Sequence, residues 1–143
     1  MGTSDAEPYL RLVEHDLEAL DLITAAARGR TPTVDVSDWQ CTLVYYMACI
    51  YVKAVGRARG KDLQDHYQLK QWINTTTDLV PITRPYRKLE ERSRDARYEG
   101  RRFTRPELIE TIGWFAQVRD HLVGVLKEEG VEGIPVVDPT RFV

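Results

Sequence analysis

Arg87, Arg94, Arg97 and Arg101 recur at steps of seven, three and four residues, which lines four guanidinium groups along one flank of a continuous helix. Guanidinium forks grip phosphate through two hydrogen bonds at once. Tyr98 lies among them and, with Phe103 or Tyr86, could stack on an unpaired base. The set describes a surface for RNA or a nucleotide phosphate. The same residues admit a plainer arrangement, a solvated face on which Glu90, Glu91 and Asp95 neutralise Arg94, Arg97 or their neighbours three or four positions away.

His66 is the histidine placed to move a proton, because imidazole titrates near neutrality; in the first turn of a short helix it could equally cap or bond locally. His15 and His121 have no Cys or His at ligand spacing, so neither a zinc site nor any other metal or cofactor is expected. Gly-rich phosphate loops, nucleophile elbows and HExxH are absent, and Gly56-x-x-x-Gly60 lacks the Lys-Ser/Thr that completes a phosphate loop.

The elements that must hold these residues are helical. Pro8 suits a helix start, and Leu10, Val13, Leu17 and Leu20 follow at helical spacing, predicting a first helix from Pro8 to about Arg28. Gly29 and Pro32 break it, and Ser37 is a candidate N-cap for a second helix running through Ala58. There Trp39, Leu43, Tyr46, Met47, Ile50 and Ala54 form a seam, with Tyr45 and Tyr51 off it, so the helix is apolar nearly all round. Gly60 ends it, and Asp65 can cap a short third helix carrying Leu69, Trp72 and Ile73. Beyond Pro81 and Pro85, Tyr86, Leu89, Ser93, Ala96 and Gly100 trace the inner seam of a fourth helix. Thr104-Arg-Pro-Glu107 is a capping box opening a fifth, whose seam of Leu108, Ile112, Phe115, Leu122 and Leu126 stops near Gly130. The expected architecture is all-α, a single domain over residues 1–130 with an extended tail over 131–143.

A chain of 143 residues with 43% hydrophobic and 29% charged residues can bury one core without metal or disulfide support. Cys41 and Cys49 lie eight residues apart on one helix, about 12 Å along its axis, too far for a bridge. No charged-then-apolar leader opens the chain, and no apolar run approaches the roughly 18 residues of a membrane span; a cytoplasmic location is expected. The net charge of −2 conceals a surplus: residues 84–105 hold nine Lys or Arg against four acids. That segment could attract phosphate, or it could face Glu14, Asp16, Glu18 and Asp21 of the first helix. Tyr45, Cys49 and Val52 have no evident second partner in a four-helix monomer, which predicts a symmetric homodimer; alternatively the first helix, or Ile134, Val136 and Val137 of the tail, covers them.

With the helices laid out, the chain resembles the HEPN superfamily of small all-helical proteins. The likeness rests on Trp39 with Tyr45 and Tyr46 in an early core helix, and on His66 opening the next. Tyr86 and Leu89 then lead into Arg94, Ala96 and Tyr98, followed by an amphipathic helix through Phe115 and Leu122. It spans roughly residues 37–126. The resemblance implies an up-and-down bundle of four or five helices, commonly a homodimer whose cleft accepts RNA, acting in toxin-antitoxin, defence or RNA-processing systems. Active branches carry Arg, four to six residues, then His near the start of a late helix, and cleave RNA without metal. Here no histidine follows Arg94 or Arg97 at that spacing. Arg59 and His66 have the spacing with six residues between them, but in the wrong part of the pattern. The resemblance therefore implies a non-catalytic binding or regulatory module for RNA, a nucleotide or a protein partner encoded nearby. The alternative is a divergent metal-independent endoribonuclease using Arg94, Arg97 and Tyr98 or His66.

Overall fold

The computed structural model describes residues 3–140. Five α-helices make up the regular structure of these residues, with short 3-10 turns at Thr3–Ala6 and Val80–Ile82 and no strand. They are α1 (Glu7–Arg28), α2 (Ser37–Ala58), α3 (His66–Thr75), α4 (Thr83–Glu99) and α5 (Arg105–Glu128). The all-α bundle expected from the apolar periodicity is the observed fold.

At the centre lies α2, packed against α1, α4 and α5. Its nearly continuous apolar character is answered by burial on three sides, and Tyr45, Met47 and Tyr51 are fully buried. Each such side chain contributes about 1.5–3 kcal/mol of hydrophobic stabilisation. The centre of the buried surface differs from the expected seam. Tyr45 and Tyr51 lie at the heart of the core, whereas Trp39 is 56% exposed and Leu43 and Tyr46 are half-buried. Ser37 also differs: it is the first residue of α2, its backbone N–H donates to Asp35 Oδ1 (2.9 Å), and its hydroxyl accepts from Phe103 N (2.8 Å). Asp35 supplies the local cap, leaving Ser37 to tie α2 to the segment before α5.

After α2 the chain folds back so closely that a Cβ on Gly56 would stand 3.0 Å from Leu63 Cδ1. Asp65 then caps α3, accepting from Gln68 N at 2.8 Å, and Leu69, Trp72 and Ile73 are buried beneath it. Tyr86, Leu89, Ser93 and Ala96 form the inner face of α4 as expected, but Gly100 is exposed and ends the helix at φ 63°. No atom crowds a Cβ there, so the left-handed backbone is what calls for glycine. The capping box forms: Thr104 Oγ1 accepts from Glu107 N (3.4 Å), and the Glu107 carboxylate accepts from Thr104 N (2.9 Å).

The chain beyond α5 is largely extended and strapped to the core. Tyr51 donates its hydroxyl proton to the Pro135 carbonyl (2.6 Å) and accepts from Val137 N (3.2 Å), while Arg119 Nη1 donates to the Val137 carbonyl (3.0 Å). Tyr45, Cys49 and Val52, expected to be covered by a second chain or else by the first helix or the tail, are all buried within one chain, so they supply no ground for a dimer. Cys41 and Cys49 are free thiols in the core. Arg59 donates to both oxygens of Asp78 (3.0 and 2.5 Å) and to Glu129 (2.8 Å), joining the end of α2, the α3–α4 connection and the end of α5. His121 Nε2 donates to the Asp78 carbonyl at the same junction, 2.5 Å away. Among the described residues no helix is long and apolar enough to cross a membrane.

Candidate functional site

Three sides of α2 are covered, and the fourth is a stripe in which Trp39, Leu43, Tyr46, Ile50 and Lys53 follow at helical spacing. Trp39 is exposed, and Leu43, Tyr46 and Lys53 are half-buried. Helix α4 reaches the stripe through Arg97, and α3 meets it through His66. Asp16 of α1 joins Tyr46, Ile50, Lys53 and His66 around an open cavity of about 400 Å³.

The four arginines expected to act as one row separate into different roles. Arg101 pairs with Asp95 (3.2 Å) and closely with Glu107, and lies over the Phe103 ring; its charge is already answered. Arg87 stands 3.9 Å from Glu91 with both side chains solvated, a weak pair. Arg94 is exposed and has no ion pair among the described residues. Arg97 turns inward: Nε donates to the Ser93 carbonyl (3.3 Å), Nη1 to the Tyr46 hydroxyl (3.5 Å), and its guanidinium lies 5.7 Å from the Tyr46 ring and 5.1 Å from the Tyr98 ring. Tyr98 is 72% exposed and free to stack. Tyr86 and Phe103, the expected stacking partners, are buried in the core and unavailable for that purpose.

The carboxylates that meet the basic segment belong mainly to its own helix and to α5, with Asp38 pairing to Arg102 (3.3 Å). Glu14, Glu18 and Asp21 of α1 instead line a groove along the tail. Glu90 is buried and held by Lys70 (2.9 Å) rather than by an arginine. Arg92, unremarked in the sequence, fastens α4 to α5. It donates to the Glu107 carbonyl (2.7 Å) and Thr111 Oγ1 (3.1 Å), and its guanidinium lies 4.7 Å from the Trp114 ring.

His66 sits where α2, α3 and α4 converge. Its Nδ1 is 3.0 Å from the Tyr45 hydroxyl and 3.9 Å from Cys49 Sγ, which is itself 3.4 Å from the Tyr86 hydroxyl. Burial pushes the Tyr45 and Tyr86 phenols far up and the Cys49 thiol up to about 11, so all three stay protonated at neutral pH. A protonated Tyr45 hydroxyl can donate to Nδ1, which leaves the ring proton on Nε2; Nε2 has no partner among the described residues. Burial first, and then the Arg97 charge, lower the imidazole's pKa below its ordinary 6.5. His66 is thus a neutral ring with one nitrogen anchored inward.

Tyr46 joins the pieces. Its ring is nearly parallel to His66 (12°, centroids 6.3 Å apart) and also carries the Arg97 guanidinium. Lys53, Arg94 and Arg97 have no carboxylate partner among the described residues. This flank of the protein can therefore receive an anion without first breaking an ion pair. Lys53 was missed by sequence reasoning, although it carried a signal: it is the one charged residue between Asp38 and Arg57. Arg59, by contrast, is committed to Asp78 and Glu129 and belongs to the scaffold. His15 is exposed and lies outside this group.

No family model, curated protein or solved structure matches this chain.

Proposed function

We propose that the protein is a HEPN-like binding or regulatory module without catalysis of its own, contacting single-stranded RNA through Arg94, Arg97 and Tyr98. The observation that carries this reading is the pairing of unneutralised cations with an exposed aromatic: Arg97 lies against the exposed Tyr98, and neither Arg94 nor Arg97 meets a carboxylate among the described residues. Phosphate contacts supply affinity and an accessible ring stacks on a base. Arg87 lies on the same flank and contributes weakly, and Arg101 is excluded by its own ion pairs.

Binding of labelled single-stranded RNA tests the reading. Arg94→Ala with Arg97→Ala should weaken affinity about tenfold or more, and the salt dependence should become shallower by about the two lost phosphate contacts. Arg101→Ala should leave both nearly unchanged. Equal affinity in the double variant removes RNA from the account. Should the chain pair with itself, as the resemblance implies, the contact falls on exposed Trp39 and its neighbours along α2, since the side chains first expected there are buried.

A second reading, a metal-independent endoribonuclease, is favoured by one observation: His66 and Arg97, far apart in sequence, both lie against the Tyr46 ring. In the other tautomer, with Nδ1–H donating to the Tyr45 hydroxyl, Nε2 can accept a proton while a guanidinium offsets developing phosphate charge. Cleavage of labelled RNA by purified protein, abolished by His66→Gln, would establish this reading; intact RNA at large protein excess rejects it.

A further inference from the structure

The cavity bordered by α1, α2 and the start of α3 measures about 400 Å³, at the small end of ligand sites. Charges of both signs line it without meeting. Lys53 and Asp16 are each half-buried, and neither has a hydrogen bond or salt bridge among the described residues, so ammonium and carboxylate stand apart across the same space. Each gives up hydration and receives no partner in exchange. Burial raises the Asp16 carboxyl above its ordinary 3.8, against the opposing charge of His15. Asp65, an exposed second carboxylate on the wall, accepts from Gln68 N (2.8 Å) as the cap of α3. An apolar patch completes the wall: Ile50 and Leu69 are buried, and the Tyr46 ring is half-buried.

We infer that this cavity binds one free aliphatic α-amino acid, its carboxylate on Lys53, its ammonium on Asp16 and its side chain over Ile50, Leu69 and Tyr46. A zwitterion satisfies both unpaired charges at once and adds no net charge of its own. In the tautomer set by Tyr45, His66 Nε2–H has no partner among the described residues and adds a second donor to the ligand carboxylate. A simple anion would meet Lys53 but leave Asp16 without a partner, and Asp65 would repel it as well. A simple amine would meet Asp16 and leave Lys53 bare. Only a ligand carrying both groups answers the whole wall. The inference goes beyond the proposed affinity for RNA, because Arg94, Arg97 and Tyr98 do not line this cavity.

Calorimetry and NMR of the full chain test the inference, with L-leucine as probe beside isocaproate, which lacks its ammonium, and isoamylamine, which lacks its carboxylate. Leucine should bind and shift the His66 ring resonances, with each half-analogue weaker by about tenfold or more. Two substitutions then separate the contacts. Lys53→Gln should weaken leucine about tenfold and leave isoamylamine no weaker, whereas Asp16→Asn should weaken leucine about tenfold and leave isocaproate no weaker. Circular dichroism checks that both variants fold, and the preference of the native protein for leucine over its half-analogues requires neither of them. Millimolar leucine, valine and methionine that all fail to shift His66, half-analogues that bind as tightly as leucine, or leucine binding indifferent to both substitutions would each overturn the inference. Single-stranded RNA binding that depends on Arg94 and Arg97 stands or falls separately, since neither residue contacts the amino acid.

Discussion

The Tyr45 hydroxyl stands 3.0 Å from His66 Nδ1, and this contact between α2 and the first residue of α3 determines which ring nitrogen is left for solvent. Tyr45→Phe should cost about 1 kcal/mol in stability, the ordinary worth of one hydrogen bond. It should also relax the preference for the tautomer protonated at Nε2. Nitrogen chemical shifts of the His66 ring report that preference directly, and identical shifts in the two proteins would show that the bond does not operate in solution.

Acid should weaken the fold through the same ring. Burial and the Arg97 charge lower its pKa below 6.5, Lys53 acts in the same sense, and Glu90 and Asp65 oppose them. Tyr45 and Cys49 on the α2 side are neutral at these pH values, and Asp16 faces the ring across the cavity. Because the unfolded chain takes up the proton more readily, the stabilisation is complete above the unfolded value of 6.5. It is lost as pH falls from there toward the folded value. Melting temperatures of the protein and its His66→Gln variant should therefore diverge between about pH 5.5 and pH 7.5, the native protein gaining more on the way up.

Removing Arg59 should loosen three elements at once. Its side chain is 21% exposed and bonded to Asp78 and Glu129, which are 44% and 32% exposed, so solvent screens part of the interaction. Arg59→Met should lower unfolding stability by about 1–2 kcal/mol. Arg59 holds the Asp78 carboxyl below its ordinary 3.8, so this contribution is present above that pH and disappears as acid protonates the carboxylate. Denaturant melts of the two proteins should converge in strong acid.

Tyr51→Phe should release the tail without disturbing the core ring. The Pro135 carbonyl and Val137 N–H lose their shared partner, at a cost of about 1–3 kcal/mol for groups left unsatisfied. Limited proteolysis should then cut within residues 131–140 faster than in the native chain. Unchanged cleavage would mean that Arg119 alone secures the strap.

The number and order of helices were legible because each leaves a local mark. Asp65 and Thr104 are caps that act over three residues, and Gly60 and Gly100 stop helices through their own backbone. The rotational setting of α2 was less legible. A helix apolar on nearly every side has little preferred direction, so nothing local distinguishes Trp39, which faces solvent, from Tyr45, which does not. The arginine row had the same difficulty. Spacing would place Arg87, Arg94, Arg97 and Arg101 on one flank, but α4 stops at Glu99 and the left-handed Gly100 turns Arg101 off the helix; whether each meets a carboxylate then depends on side-chain reach and on neighbours such as Glu107, which opens a different helix. The meeting of Tyr46, His66 and Arg97 joins three helices, and no pattern within one segment records it.

The Arg59 junction and the Asp65 cap fasten both approaches to α3. A short helix anchored fore and aft has little freedom to travel, so the distance from His66 to Tyr46 is fixed when the chain folds. What freedom remains at this corner of the bundle lies in long side chains without ion pairs among the described residues, such as Lys53 and Arg94.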